Sequence, residues 1–130
     1  MFWVGKYLMT LVYAGILSFQ SNAPQATCSW YGGWFHGRQT ASGLFYDMYE
    51  ISCAHKTLPL GTWVAFWNPE NNRFIIAQIT DRGPYVWGRD FDLSRGAFDY
   101  LTDGDLDRGL VNVYYIVLDR DTEGMPYPNN

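Results

Sequence analysis

From residue 26 onward, apolar and polar positions trade places on a short period, in brief runs divided by turn formers. ATCSWY (26–31) alternates as a half-buried strand does, and ISCAH (51–55) is a second, shorter apolar run. TWVAFW (62–67) and RFIIAQIT (73–80) are β-branched and aromatic stretches joined by NPENN, a hairpin-like connection. LVNVYYIVL (110–118) is almost continuously hydrophobic, which predicts a strand inside a barrel or sandwich. One segment has helical character: Ser94 stands as an N-cap before RGAFDYL (95–101). The stretch 32–50, GGWFHGRQTASGLFYDMYE, follows neither period and reads as a long loop rich in Gly and Thr. The pattern therefore predicts a small, mainly β domain with one short helix.

The N-terminus follows a different pattern. Lys6 precedes the apolar run from Tyr7 to Phe19, and the polar QSNAPQA comes next. This is the order of a secretory signal, with an apolar core shorter than the roughly 20 residues of a membrane span. Residues 1–26 are assigned to that signal, with cleavage near Ala26, residues 27–119 to the domain, and 120–130 to a flexible polar tail. The expected location is secreted or periplasmic, without stable membrane insertion once the signal is removed. Cys28 follows QAT, which lacks the small and aliphatic residues of a lipid-attachment box and argues against lipid anchoring.

Composition narrows the partners. A net charge of −4 argues against nucleic acid. Six Trp, ten Tyr and eight Phe in 130 residues exceed what one modest core requires and point to an aromatic-lined groove. Cys28 and Cys53, in an exported chain, predict a disulfide worth about 3 kcal/mol, the alternative being two buried thiols packed as small apolar groups. DGDLDRG (103–109) imitates the start of a calcium loop, but its Gly falls one place late and Tyr114 stands where the closing Glu belongs. Zinc spacings and phosphate-binding glycine loops are lacking, so no metal or cofactor is expected.

The chemistry concentrates in ITDRGPYVWGRDFDLS (79–94), where Asp81 ends a strand and Asp92 precedes a helix. Two carboxyl groups can serve glycosidic cleavage, one giving a proton to the leaving oxygen and one facing the developing sugar cation. The structural alternatives are a capped turn at Asp81 and donors at the helix start for Asp92. His55 ends an apolar strand, where a packed rim residue is the plainer reading. Arg82 reads either as a surface salt bridge or as a sugar-substituent ligand.

SWYGGWFHGRQTASG, CAHKTLPLGTWVAF, ITDRGPYVWGRDFDLSRGAFDYL and VNVYYIVL resemble, in order and spacing, the rare lipoprotein A family. The resemblance implies a six-stranded double-psi β-barrel with one or two short helices. It also implies an exported lytic transglycosylase that cleaves peptidoglycan glycan strands, preferentially peptide-free, leaving 1,6-anhydro ends. It places Asp81 on the family's catalytic Asp, His55 on its functional His, and Asp92 on the acid of related barrel enzymes. Asp81 is taken as principal acid/base, with His55 and Asp92 supporting it. Tyr31, Trp34, His36, Arg82 and Trp87 are taken as substrate-binding, and the protein as a monomer. Trp34 and Trp87, in Gly-flanked loops, are expected to be exposed.

One departure stands out: the family's TASGE reads TASGL here, with Leu44 in the place of a glutamate. Leucine cannot carry a proton. This keeps open a second function, a non-catalytic glycan-binding or wall-loosening barrel of the expansin kind.

Overall fold

In the computed structural model, residues 23–118 are described, so most of the expected signal and all of the expected tail lie outside the described residues. The strands are β1 (Gln25–Tyr31), β2 (Ser52–Ala54), β3 (Trp63–Asn68), β4 (Arg73–Asp81), β5 (Phe91–Ser94) and β6 (Val111–Val117). A helix, α1 (Arg95–Leu101), and a 3-10 turn (Leu106–Arg108) lie between β5 and β6. The strands close into a barrel in the order β1-β5-β2-β4-β3-β6. β1/β5 and β2/β4 are parallel and the other pairs antiparallel, so the expected six-stranded barrel is a mixed one.

Period-two alternation sends one face of every strand inward. Cys28, Cys53, Val64, Phe66, Ala77, Ile79, Phe91, Leu93, Val111 and Val113 form the interior, and α1 adds Ala97, Phe98 and Leu101. Ser94 caps α1 as expected, its Oγ accepting from the Ala97 N–H at 3.2 Å. The same hydroxyl accepts from Ser52 N and donates to the Glu50 carbonyl, so one side chain joins the helix, β2 and the loop before it. The continuous hydrophobicity of β6 has its own cause. Tyr114 and Ile116 pack on a second cluster around Ala65 and Trp67, on the opposite side of the sheet from Val111 and Val113.

The structure adds two details and corrects one expectation. The barrel starts earlier than residue 27: Gln25 and Ala26 pair with Tyr114 and Val113, and the Pro24 carbonyl accepts from Tyr115 N at 3.1 Å. β5 was not legible as a strand, because FDLS is too short to show a period and runs straight into a helix cap. Cys28 and Cys53 are free, buried thiols rather than a disulfide. β5 lies between their strands, with Cys53 opposite Leu93 and Cys28 opposite Phe91. Two strand spacings of about 4.8 Å each put the α-carbons beyond the roughly 7 Å limit for a bridge. The Cys53 Sγ instead donates to the Gln78 carbonyl at 3.7 Å.

Candidate active site

The site is built on the barrel's outer face. Phe91 and Leu93 point inward, so the intervening Asp92 points out. Cys53 is inside, so Ala54 is out, packing with Tyr31, Tyr46 and Met48 in a small cluster of its own. β4 needs a further device to contribute. Ile79 pairs with Cys53, yet Ala54 pairs with Asp81 rather than Thr80, because the register shifts between Cys53 and Ala54. That bulge aligns Asp81 with Ala54, which also pairs with Asp92 across β5. The two carboxylates therefore flank one small residue from the strands on either side of β2, with α-carbons about 10 Å apart by two strand spacings.

A cleft of about 680 Å³ opens over this floor. Residues 30–35, the end of β1 and the loop after it, form one wall, and residues 82–86 with Arg89 form the other. Alanine at position 54 keeps the middle low. Around it, Tyr31 stacks on Tyr46 with ring centroids 4.3 Å apart and meets Phe35 edge-on at 5.8 Å. The Tyr46 hydroxyl donates to the Tyr31 carbonyl at 2.6 Å and accepts from Arg95 N, which pins the 32–50 loop to the barrel.

The carboxylates differ in surroundings. Asp81 Oδ1 accepts from the N–H groups of Ala41 at 3.0 Å and Arg82 at 2.9 Å, so the TASGL turn docks on it. Asp92 is mostly buried, and burial pushes its pKa up to about 6. A hydrogen bond from Ser29 Oγ at 3.2 Å and the charge of Arg89 oppose that rise, while Asp81 adds to it. The helix start is served by Ser94, so Asp92 is not its cap.

Of the residues expected from the sequence, Tyr31, Trp34, Asp81, Arg82 and Asp92 line the cleft. His55, His36 and Trp87 do not. The Nδ1 of His55 accepts from Thr57 N at 3.1 Å and Leu58 N at 3.0 Å, and its ring packs on Phe91. Burial, then Lys56 and Arg82, hold its pKa below the ordinary value, so it sits as a neutral acceptor tying down the 55–58 turn. Arg82 reaches back to that turn, donating to the carbonyls of Leu58 at 2.6 Å and His55 at 3.3 Å. His36 Nδ1 accepts from Met48 N within the long loop. Trp34 and Trp87 are 75% and 98% exposed, as expected, and Arg38 covers one face of the Trp34 ring. Leu44 is partly exposed in the turn that docks on Asp81, outside the cleft lining. Ser29, Ala54 and Arg89 were missed. Only Arg89 carried a signal, as the Arg of the GR pair between the two aspartates.

The comparisons agree with this architecture. The protein family described as "Lytic transglycolase" matches residues 25–115. The endolytic peptidoglycan transglycosylase RlpA of Vibrio cholerae is 39% identical over 102 residues, 78% of this chain and 38% of that protein. A probable endolytic peptidoglycan transglycosylase RlpA of Aquifex aeolicus is 52% identical over 69 residues, 53% of this chain and 30% of that protein. The chain thus spans about a third of the length of the curated relatives it matches. Among solved structures, the Streptomyces papain inhibitor superposes with a TM-score of 0.60 at 23% identity, covering 76% of this chain and 96% of that one. The apo expansin of Clavibacter michiganensis gives 0.60 at 17% identity, covering 78% and 52%. At such identities these two describe the fold alone.

Proposed function

We propose that this chain, which belongs to the double-psi β-barrel family described as lytic transglycolase, cleaves peptidoglycan glycan strands between N-acetylmuramic acid and N-acetylglucosamine. The observation that carries the reading is a pair of outward carboxylates beside Ala54 in an aromatic cleft, one of them with its pKa raised to about 6. A carboxyl that holds its proton up to about pH 6 can give it up to a leaving oxygen. Asp92 therefore protonates the glycosidic oxygen as the C1–O bond breaks. Asp81, across Ala54, faces the positive charge that develops on the muramic ring. The ionised Asp92 then accepts the proton of the muramic 6-hydroxyl as that oxygen closes on C1, giving the 1,6-anhydro end without water. This division gives Asp92 the proton that the sequence reading gave to Asp81. His55 is a positioning residue, holding the turn to which Asp81 and Arg82 are tied.

Peptide-free strands are the preferred substrate, and the mature protein works outside the cytoplasm against the wall. Signal cleavage belongs before Pro24, because cutting at Ala26 would remove the Pro24 carbonyl and two paired residues from β1. The reading is tested by incubating the protein with peptide-free glycan strands and analysing the products by mass spectrometry. Anhydro-muramic ends are expected from the wild type and lost in Asp92→Asn.

Leu44 favours a second reading, a barrel that binds glycan without cutting it. A wild type that yields no anhydro ends, alongside a Leu44→Glu variant that does, would establish that reading for the natural chain.

A further inference from the structure

Two cations line the cleft, Arg82 and Arg89, and they are not equivalent. The Arg82 side chain is tied back to the fold, its Nη1 donating to the carbonyls of both His55 and Leu58. Among the described residues, no hydrogen bond or ion pair engages the Arg89 guanidinium, although its backbone is fixed from both sides. Its N–H donates to the Val86 carbonyl at 3.4 Å, and its carbonyl accepts from Lys56 Nζ at 3.0 Å. The neighbouring carboxylate, Asp90, is occupied elsewhere: its Oδ2 accepts from Thr27 N at 2.8 Å, while its own N–H donates to the Thr27 carbonyl. The result is an anchored backbone presenting an unpaired planar fork to the cleft. Arg89 is also close enough to Asp92 for its charge to act on that carboxyl.

We infer that Arg89 is a specificity-determining residue that binds a carboxylate on the sugar whose bond is cut. The inference rests on the function proposed above. A guanidinium matches a carboxylate with two parallel N–H donors, a geometry that a lone ammonium cannot offer. The muramic ring bears one carboxylate close to the scissile bond, the lactyl group on its 3-oxygen. In peptide-bearing strands that carboxyl is an amide and uncharged, whereas in peptide-free strands it is an anion. Pairing Arg89 with the lactyl carboxylate therefore selects peptide-free strands by charge. It also fixes the muramic ring beside Asp92 rather than the neighbouring glucosamine, which has no anion.

Equilibrium affinity tests this in the Asp92→Asn background, where the ligand stays intact. The probes are peptide-free strands, the same strands with lactyl carboxyls capped as methylamides, and peptide-bearing strands. Capping is expected to weaken binding about tenfold when Arg89 is present, the scale of one charge-assisted hydrogen bond. Arg89→Gln should bind uncapped strands about tenfold more weakly and no longer distinguish capped from uncapped. Arg89→Lys, which keeps the charge without the fork, should discriminate to an intermediate degree. If Arg89→Gln keeps the full preference for uncapped strands, the inference is overturned. It is equally overturned if Arg89→Gln weakens binding to peptide-bearing strands as much as to peptide-free ones, since the recognised carboxylate would then be the peptide's. Wild-type cleavage, measured separately, decides the enzyme reading: discrimination lost in Arg89→Gln together with no anhydro ends leaves carboxylate recognition standing and removes the catalysis.

Discussion

Asp92 is stabilised by protonation, and this sets its pH dependence. Its pKa is about 6 in the folded chain against about 3.9 when exposed, so between those values the folded state holds more protons than the unfolded. Stability is therefore greatest below the unfolded value, falls as pH rises from about 4 to about 6, and stays lower above that. Asp92→Asn removes the cost of ionising a buried carboxyl and should raise stability by on the order of 2 kcal/mol at pH 7, with little gain at pH 4, in paired denaturation curves. The same variant should yield no anhydro ends. Wild-type cleavage should decline as pH rises through about 6, as the proton is lost. A destabilised Asp92→Asn, losing activity only with its folded fraction, would assign Asp92 to architecture. Among the aromatics, Trp34 lines the cleft and Trp87 does not. Trp34→Ala should cost about 1 kcal/mol of glycan affinity, roughly fivefold, and Trp87→Ala much less, as read by titration.

Elements meet at Gly96, in the first turn of α1. Its N–H donates to the Met48 carbonyl at 2.7 Å, and a side chain there would collide with the Tyr49 backbone carbonyl. Helix propensity alone makes Gly→Ala favourable by about 1 kcal/mol. Here the sign should reverse. Gly96→Ala should lower the melting temperature by several degrees and loosen the 46–50 segment, seen as faster amide exchange at Tyr46 and Met48. These residues pack with Tyr31 and Ala54 under the cleft, so glycan affinity should fall along with stability.

At the scale of the molecule, the barrel is held by packing and strand pairing rather than by a covalent staple. Cys28 and Cys53 are buried in the interior, and burial raises both thiol pKa values, so neither is a nucleophile. Two thiols should be modified per chain after denaturation without reductant and neither in the native protein. Reductant should leave the melting temperature unchanged. Recovery of no thiols after denaturation would restore the bridge.

What the sequence determined by itself were features carried by local period and local caps. The strands at 62–67 and 73–80, the NPENN hairpin, the Ser94 cap and the exposure of Trp34 and Trp87 all follow from neighbours along the chain. The motif order of residues 27–119 further indicated the barrel and directed attention to Asp81 and Asp92. The tertiary structure decided the rest. Whether two cysteines meet depends on which strand lies between them. β5 exists because β1 and β2 supply partners on either side of four residues. Asp81 reaches the cleft through a register shift against β2, which no pattern within β4 records. Burial, not residue type, distinguishes Asp92 as the carboxyl whose proton is held to about pH 6, and burial is set by segments distant in sequence that close over it.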